Sequence, residues 1–159
     1  MAVTHQNGKF YLCTTPQPDI LDQSEFEGLT WVEVPNVVEA PSFQITDNML
    51  TENYLSSDIA EKQKGYRSID DSTLVIGLKT GVMGHTNLVT AARTRSVYAI
   101  KYVLDDALNE TGTGTTFYAR AVIGGGGPNG GGGEEFVRKT FNLGMTEQFP
   151  IEVAATAGA

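Results

Sequence analysis

Two histidines, one cysteine and a set of adjacent carboxylates are the side chains of this chain with the clearest capacity for acid–base, nucleophilic or metal chemistry. His5 falls in the polar opening MAVTHQNG, which reads as a disordered start, and His85 follows a glycine turn, where it reads as a helix-start residue rather than a general base. Neither has a companion set of groups from which a catalytic constellation can be assembled. The doublets Asp70-Asp71 and Asp105-Asp106 supply metal-type ligands, but neighbours on a strand point to opposite faces. They read as turn or strand-end residues. Cys13 lies in an alternating strand and reads as a small core residue; a single cysteine also excludes an internal disulfide and a cysteine-cluster metal site.

The run GGGGPNGGGG, residues 124–133, resembles a phosphate cradle only in composition. A phosphate-binding loop ends in Lys followed by Ser or Thr at a helix start, whereas this run enters Glu134-Glu135, whose charges would repel a phosphate. A flexible hairpin tip is the better reading. The sequence therefore carries no enzyme signal, and no cofactor or metal is expected.

The elements that hold these residues follow period two almost throughout. Lys9–Thr15 alternates and stops at Pro16 and Pro18. Residues 19–28 read as an acidic loop. Leu29–Val38 and Ser42–Thr46 form a strand pair or one long bent strand, interrupted by Pro35 and Pro41. Residues 47–66 show neither strand alternation nor a continuous apolar face, so they are expected to form a long, functional inter-strand loop, with a short helix over Ser57–Lys64 as the alternative. Asp70–Lys79 is a strand with Leu74, Ile76 and Leu78 on one face. Thr86–Arg95 reads as the one helix, with Thr86 as N-cap, a stripe of Leu88, Val89 and Ala92, and Arg93 and Arg95 at its negative end. Val97–Leu104 is a strand, Asp105–Gly114 a turn, and Thr115–Ile123 and Glu134–Leu143 two arms of a hairpin around the glycine tip. Gln148–Ala159 begins as a strand and frays over 154–159.

This order predicts a single domain over 1–159, mainly β: an antiparallel β-sandwich or half-barrel with one flanking α-helix and a long inter-strand loop. The 159 residues are enough to bury a core without staples. No apolar run reaches the ~20 residues a membrane-spanning helix needs, and the N-terminus lacks a signal-peptide layout.

Charge is unevenly placed. Nineteen acids face eleven bases, and ten of the acids but only Lys9 among the bases lie in residues 1–61. Such a balance excludes a duplex-gripping role, which needs a lysine and arginine footprint. It leaves solvated loops, or a surface that repels polyanions or mates with a basic neighbour.

Three stretches carry a family resemblance: WVEVPNVVEAPSFQITDN (31–48); the acidic 49–71 segment running into DSTLVIGL; and the helix Thr86–Arg95 followed by VYAIKYVL, TTFYARAVIG, a loop and EEFVRKTFNL. In this order, across residues 8–153, the chain resembles the tail tube (major tail) proteins of long-tailed bacteriophages and related gene transfer agents. The ten-residue glycine loop departs from that pattern, and the appended immunoglobulin-like domain of some members is missing. The resemblance implies a virion protein, made in the host cytoplasm, that assembles into stacked hexameric rings. Its partners would be itself, the tape-measure protein and the tail terminator and initiator proteins, with double-stranded DNA passing non-specifically and no membrane involved. Four strands per subunit would give a 24-stranded barrel of about 48 Å diameter, wide enough for a duplex to slide along an acidic bore. Glu33 and Glu39 are the lumen-acid candidates, sharing a face of one strand if no bulge intervenes; an outer-face position is the alternative. The 47–66 segment would be the arm to a neighbouring subunit or ring, with Asn53, Tyr54, Leu55, Asp58, Glu61, Lys62, Lys64 and Arg67 as contact candidates, unless its charges pair within the subunit. A non-enzymatic small β-barrel acting as a binding or adhesion module is the competing reading.

Overall fold

The computed structural model describes residues 2–158. Its main body is one antiparallel sheet of eight strands: β1 (Lys9–Pro16), β2 (Trp31–Val34), β3 (Val37–Glu39), β6 (Ser72–Gly77), β7 (Val97–Val103), β8 (Thr116–Pro128), β9 (Arg138–Met145) and β10 (Ile151–Val153). A separate two-stranded sheet pairs β4 (Ile45–Glu52) with β5 (Glu61–Ile69). Two helices complete the described residues, α1 (Gln23–Glu27) and α2 (Met83–Ala92).

The hydrogen-bonding order β2-β1-β7-β8-β9-β6-β3 puts β2 and β3 at opposite edges of the sheet, yet only Pro35 and Asn36 separate them in the chain. Three Cα–Cα steps span at most about 11 Å, so the sheet must curl until its two edges nearly meet. Asn36 makes the corner with a left-handed φ of 60°, a conformation asparagine tolerates better than most residues, and its carbonyl accepts the Gly77 amide. The half-barrel expected from the pattern is present.

Alternation sorts the strands around this curl. Phe10, Leu12, Ile100, Tyr102, Ala119, Ala121, Leu74, Ile76, Phe141 and Leu143 fill one core with Leu88 and Ala91 of α2. The opposite side of β1, β7 and β8 presents Cys13, Ala99 and Tyr118, which Phe26 of α1 and Leu21 ahead of it cover. Cys13 is the small core residue its pattern implies.

Several boundaries differ from the sequence reading, each for a physical reason. Residues 47–66 are not an irregular loop: they lie within the β4–β5 hairpin, and no helix spans Ser57–Lys64. Neither face of that hairpin is buried, so its polar-apolar alternation has nothing to track. Residues 19–28 contain the short helix α1, capped by Asp22 accepting from the Glu25 amide at 2.8 Å. Helix α2 starts three residues earlier than Thr86, and Thr86 sits inside it with its amide bonded to the Val82 carbonyl. Val82 provides no side-chain cap. Packing sets this start instead: a Cβ on Gly84 would lie 2.1 Å from the Glu33 carbonyl oxygen, and His85 Nε2 lies 2.6 Å from the Pro35 carbonyl, to which it donates.

The glycine run is not all tip. β8 continues through Gly124–Gly127, paired with β9 across a register shift between Gly125 and Gly127. Gly125 and Gly126 have φ of 79° and 97°, and a Cβ on Gly126 would meet the Phe141 ring at 2.6 Å. The tip therefore spans residues 129–137. At the C-terminus, residues 154–158 do not simply fray. Thr156 N donates to Thr113 O at 2.8 Å and Gly158 N to Asn109 Oδ1 at 2.9 Å; Ala159 lies outside the described residues.

Candidate assembly surfaces

The sequence candidates for chemistry take structural roles. His5 Nδ1 lies 3.0 Å from the Tyr102 hydroxyl, which ties down the opening segment rather than leaving it loose. Asp70 accepts from Thr46 Oγ1, and Asp71 from the Met145 amide. Asp106 accepts from the Thr115 amide and hydroxyl, both at 2.6 Å, and the hydroxyl bond is the larger of the two effects holding its carboxyl below the usual range. Among the described residues no three His, Cys, Asp or Glu side chains gather as metal ligands, and no helix is long and apolar enough to cross a membrane.

What the fold builds instead is an arm. β4 and β5 hydrogen-bond to each other and to no strand of the body. At ~3.4 Å per residue their eight and nine residues make a finger roughly 27 Å long. Its register shift between Asp47 and Met49 leaves Gly65 and Tyr66 opposite Asn48, a β-bulge that a glycine accommodates. Arg67 anchors the base: its guanidinium bonds Asp47 Oδ1 at 2.7 Å and lies 4.7 Å from the Phe149 ring centroid on the body. Lys64 adds a 3.5 Å ion pair to Asp47. The Arg67 bond chiefly lowers the Asp47 carboxyl.

All eight predicted contact residues sit on this one hairpin. Lys64 and Arg67 are engaged within the chain, as the intra-subunit alternative holds. Glu61 faces Glu52 directly across the ladder, and Lys62 faces Thr51; the Glu52–Glu61 pair sets like charges opposite each other, which is unfavourable on its own. Asn53, Tyr54, Leu55 and Asp58 form the turn, where Ser57 N donates to Tyr54 O. The apolar residues of the hairpin lie in solvent: Leu55 in the turn is fully exposed, and Tyr66 on β5 is 90% exposed. Met49, Leu50, Ile59 and Tyr66 join this surface although the sequence reading passed over them; their signal, apolar residues in an otherwise polar stretch, is visible only once the hairpin is drawn.

A second surface lies at the other end of β6. The hairpin enters β6 at Ser72, which pairs with Leu143; the far end, Gly77, pairs with Arg138. There Leu78 N donates to Val137 O, and Val37, Val38, Leu78, Phe136, Val137 and Arg138 line a groove of about 450 Å³. Phe136 is 83% exposed. The sequence reading assigned this phenylalanine to a strand arm; it belongs to the β8–β9 tip.

Glu33 and Glu39 do not share one continuous strand. Pro35 and the Asn36 corner divide them, placing Glu33 opposite Tyr11 on β2 and Glu39 opposite Val75 on β3, at opposite edges of the sheet. Both are exposed, but the parity argument that paired them fails.

Two buried polar groups hold the framework. Arg120, 2% exposed, donates from Nε to Gln148 Oε1 at 2.7 Å and from Nη1 to the Gln17 carbonyl at 2.9 Å. Gln148 closes the network on both backbone groups of Leu21. Lys101 lies over the rings of Tyr11 and Trp31, 4.4 and 5.2 Å from their centroids, and burial lowers its ammonium pKa.

No protein-family model and no curated protein matches this chain. Solved structures do. A chain of the PVC sheath/tube terminator of an extracellular contractile injection system, in the extended state, superposes with TM-score 0.64 at 12% identity, covering 97% of this chain and 98% of that one. A chain of the anti-feeding prophage tube-terminating cap gives TM-score 0.65 at 11% identity, covering 97% and 92%. The SPP1 tail tube gives 0.57 at 13% identity, covering 96% and 81%. The likeness at these identities is one of fold, and it spans essentially the whole chain.

Proposed function

From a fold shared end to end with tail tubes and their terminators, we propose that this chain is a structural tail protein. Its copies associate into hexameric rings that stack into a tube, a component of a virion tail or a related injection device. The tube is the conduit for double-stranded DNA, with the tape-measure protein inside it and terminator and initiator proteins at its ends. The observation that carries this reading is the arm: a finger attached only at its base that exposes aromatic and aliphatic side chains along its length. An exposed apolar surface of that kind is characteristic of a protein-binding face.

The net charge of −8 supports the conduit: an acidic wall does not trap a polyanion, whereas a basic one would. Sedimentation velocity of the purified chain across a wide concentration range tests the reading. Self-assembly yields species that grow from monomer to ring-sized and larger particles with concentration. A single monomeric boundary at every concentration refutes it.

A further inference from the structure

Resting on that self-assembly reading, we propose that the β4–β5 arm of one copy seats in the Phe136 groove of the next copy, so that one chain carries both halves of a head-to-tail joint.

The placement of the two surfaces is the first support. The arm leaves the body at the Ser72 end of β6 and the groove opens at the Gly77–Leu78 end, so the two lie at opposite poles of the same strand. A contact between different patches at opposite ends of one molecule is heterologous and repeats from copy to copy without using itself up. A tip-to-tip contact would instead end at a dimer.

Chemistry is the second support. Val37, Val38, Leu78, Phe136 and Val137 give the groove an apolar lining, and Arg138 is the one charged residue among those that line it. Glu134 and Glu135 lie outside it, in an adjoining pocket that shares Phe136 and Arg138, so within the groove itself Arg138 is the one charge. The arm offers the complement. Tyr54, Leu55, Ile59 and Tyr66 are exposed apolar side chains, and Asp58 and the opposed Glu52–Glu61 pair supply carboxylates. Bringing a guanidinium against that pair relieves the repulsion built into the free arm.

Disulfide trapping tests the joint on the full chain. Singly substituted Leu55→Cys and Phe136→Cys chains, one of them mass-tagged, are mixed and mildly oxidised, with Ile59→Cys as a second arm position and circular dichroism confirming that each variant folds. The native Cys13 is buried, so wild-type chain gives the background. The joint predicts arm–groove heterodimers in clear excess over either homodimer. Arg138→Glu in the groove chain lowers their yield about threefold or more, the scale of one exposed ion pair, and Glu61→Lys in the arm chain restores it. Predominant arm–arm homodimers, or no heterodimer from either arm position, overturns the proposal. Sedimentation of the wild-type chain separates the two ways of failing. Oligomers without heterodimers reject this joint and leave self-assembly standing; a monomer without heterodimers rejects both.

Discussion

Replacing Gly84 by alanine sets two effects of opposite sign against each other. In a helix interior alanine is favoured over glycine by about 1 kcal/mol, so propensity alone predicts a more stable protein. In this fold Gly84 lies in the first turn of α2 against β2, where an added Cβ would stand 2.1 Å from the Glu33 carbonyl oxygen and 3.0 Å from the Val34 Cα. Both neighbours are backbone of a strand paired to β1, so they cannot rotate aside as a flexible side chain would. Relief requires α2 to shift, which loosens Leu88 and Ala91 in the core and strains the His85 bond to Pro35. Overpacking costs about 1–3 kcal/mol, and against rigid backbone the upper part of that range, about 2–3 kcal/mol, applies, so Gly84→Ala is expected to lose about 1–2 kcal/mol net, or about 2–8 °C in Tm at this size. Gly124→Ala is the matched control: its Cβ position meets nothing within 4 Å, and its stability should hold or rise. Urea denaturation followed by circular dichroism reads both. A Gly84→Ala protein as stable as the parent, or more stable, refutes the packing account of where α2 begins.

Other expectations follow from single contacts. Arg120→Met leaves the Gln17 carbonyl short of a donor and removes a bond from Gln148, which should cost about 1–3 kcal/mol in urea denaturation; an unchanged midpoint would show the network to be idle. Asp22, Asp47 and Asp106 all have carboxyl pKa values lowered below 3.8 by their hydrogen bonds. Their contribution to stability is therefore present above 3.8 and is lost as pH falls through the folded-state values. Acid titration of the unfolding midpoint should show that loss, and Asp106→Asn should flatten it. Asp47→Asn removes the anchor of Arg67 and Lys64. Hydrogen exchange should quicken over residues 45–69 with the main sheet unchanged, and equal quickening in β7 and β8 would contradict an arm attached only at its base.

What the sequence revealed, and what it hid, follows from burial. Strands with one face on the core, such as Phe10-Tyr11-Leu12 and Tyr98–Tyr102, print their alternation in the residue order and were legible. The β4–β5 hairpin has no buried face, so its alternation carries no hydrophobic signal and it passed for an irregular segment. The eight residues singled out in it nevertheless fall on one hairpin, because they are neighbours in the chain. The start of α2 was misplaced because no capping side chain marks it; the contact of Gly84 with Glu33 is 51 positions apart in the chain and leaves no local trace. The same holds for the groove, whose lining comes from three separated segments around Val38, Leu78 and Phe136. Glu33 and Glu39 were joined by even spacing, an argument that one left-handed residue at Asn36 undoes. α1 could have been read: Asp22 and Ser24 ahead of Glu25 form a helix-start pattern, but five residues of helix among acids resemble a loop.

The central claim is that this chain assembles into a hollow tube, and cryo-electron microscopy of the purified full-length protein at high concentration tests it most directly. The account predicts sixfold rings, single or stacked, around an open channel, with the β4–β5 arm reaching from one ring to the next. Particles that remain compact and monomeric, or close into dimers without a channel, would contradict it.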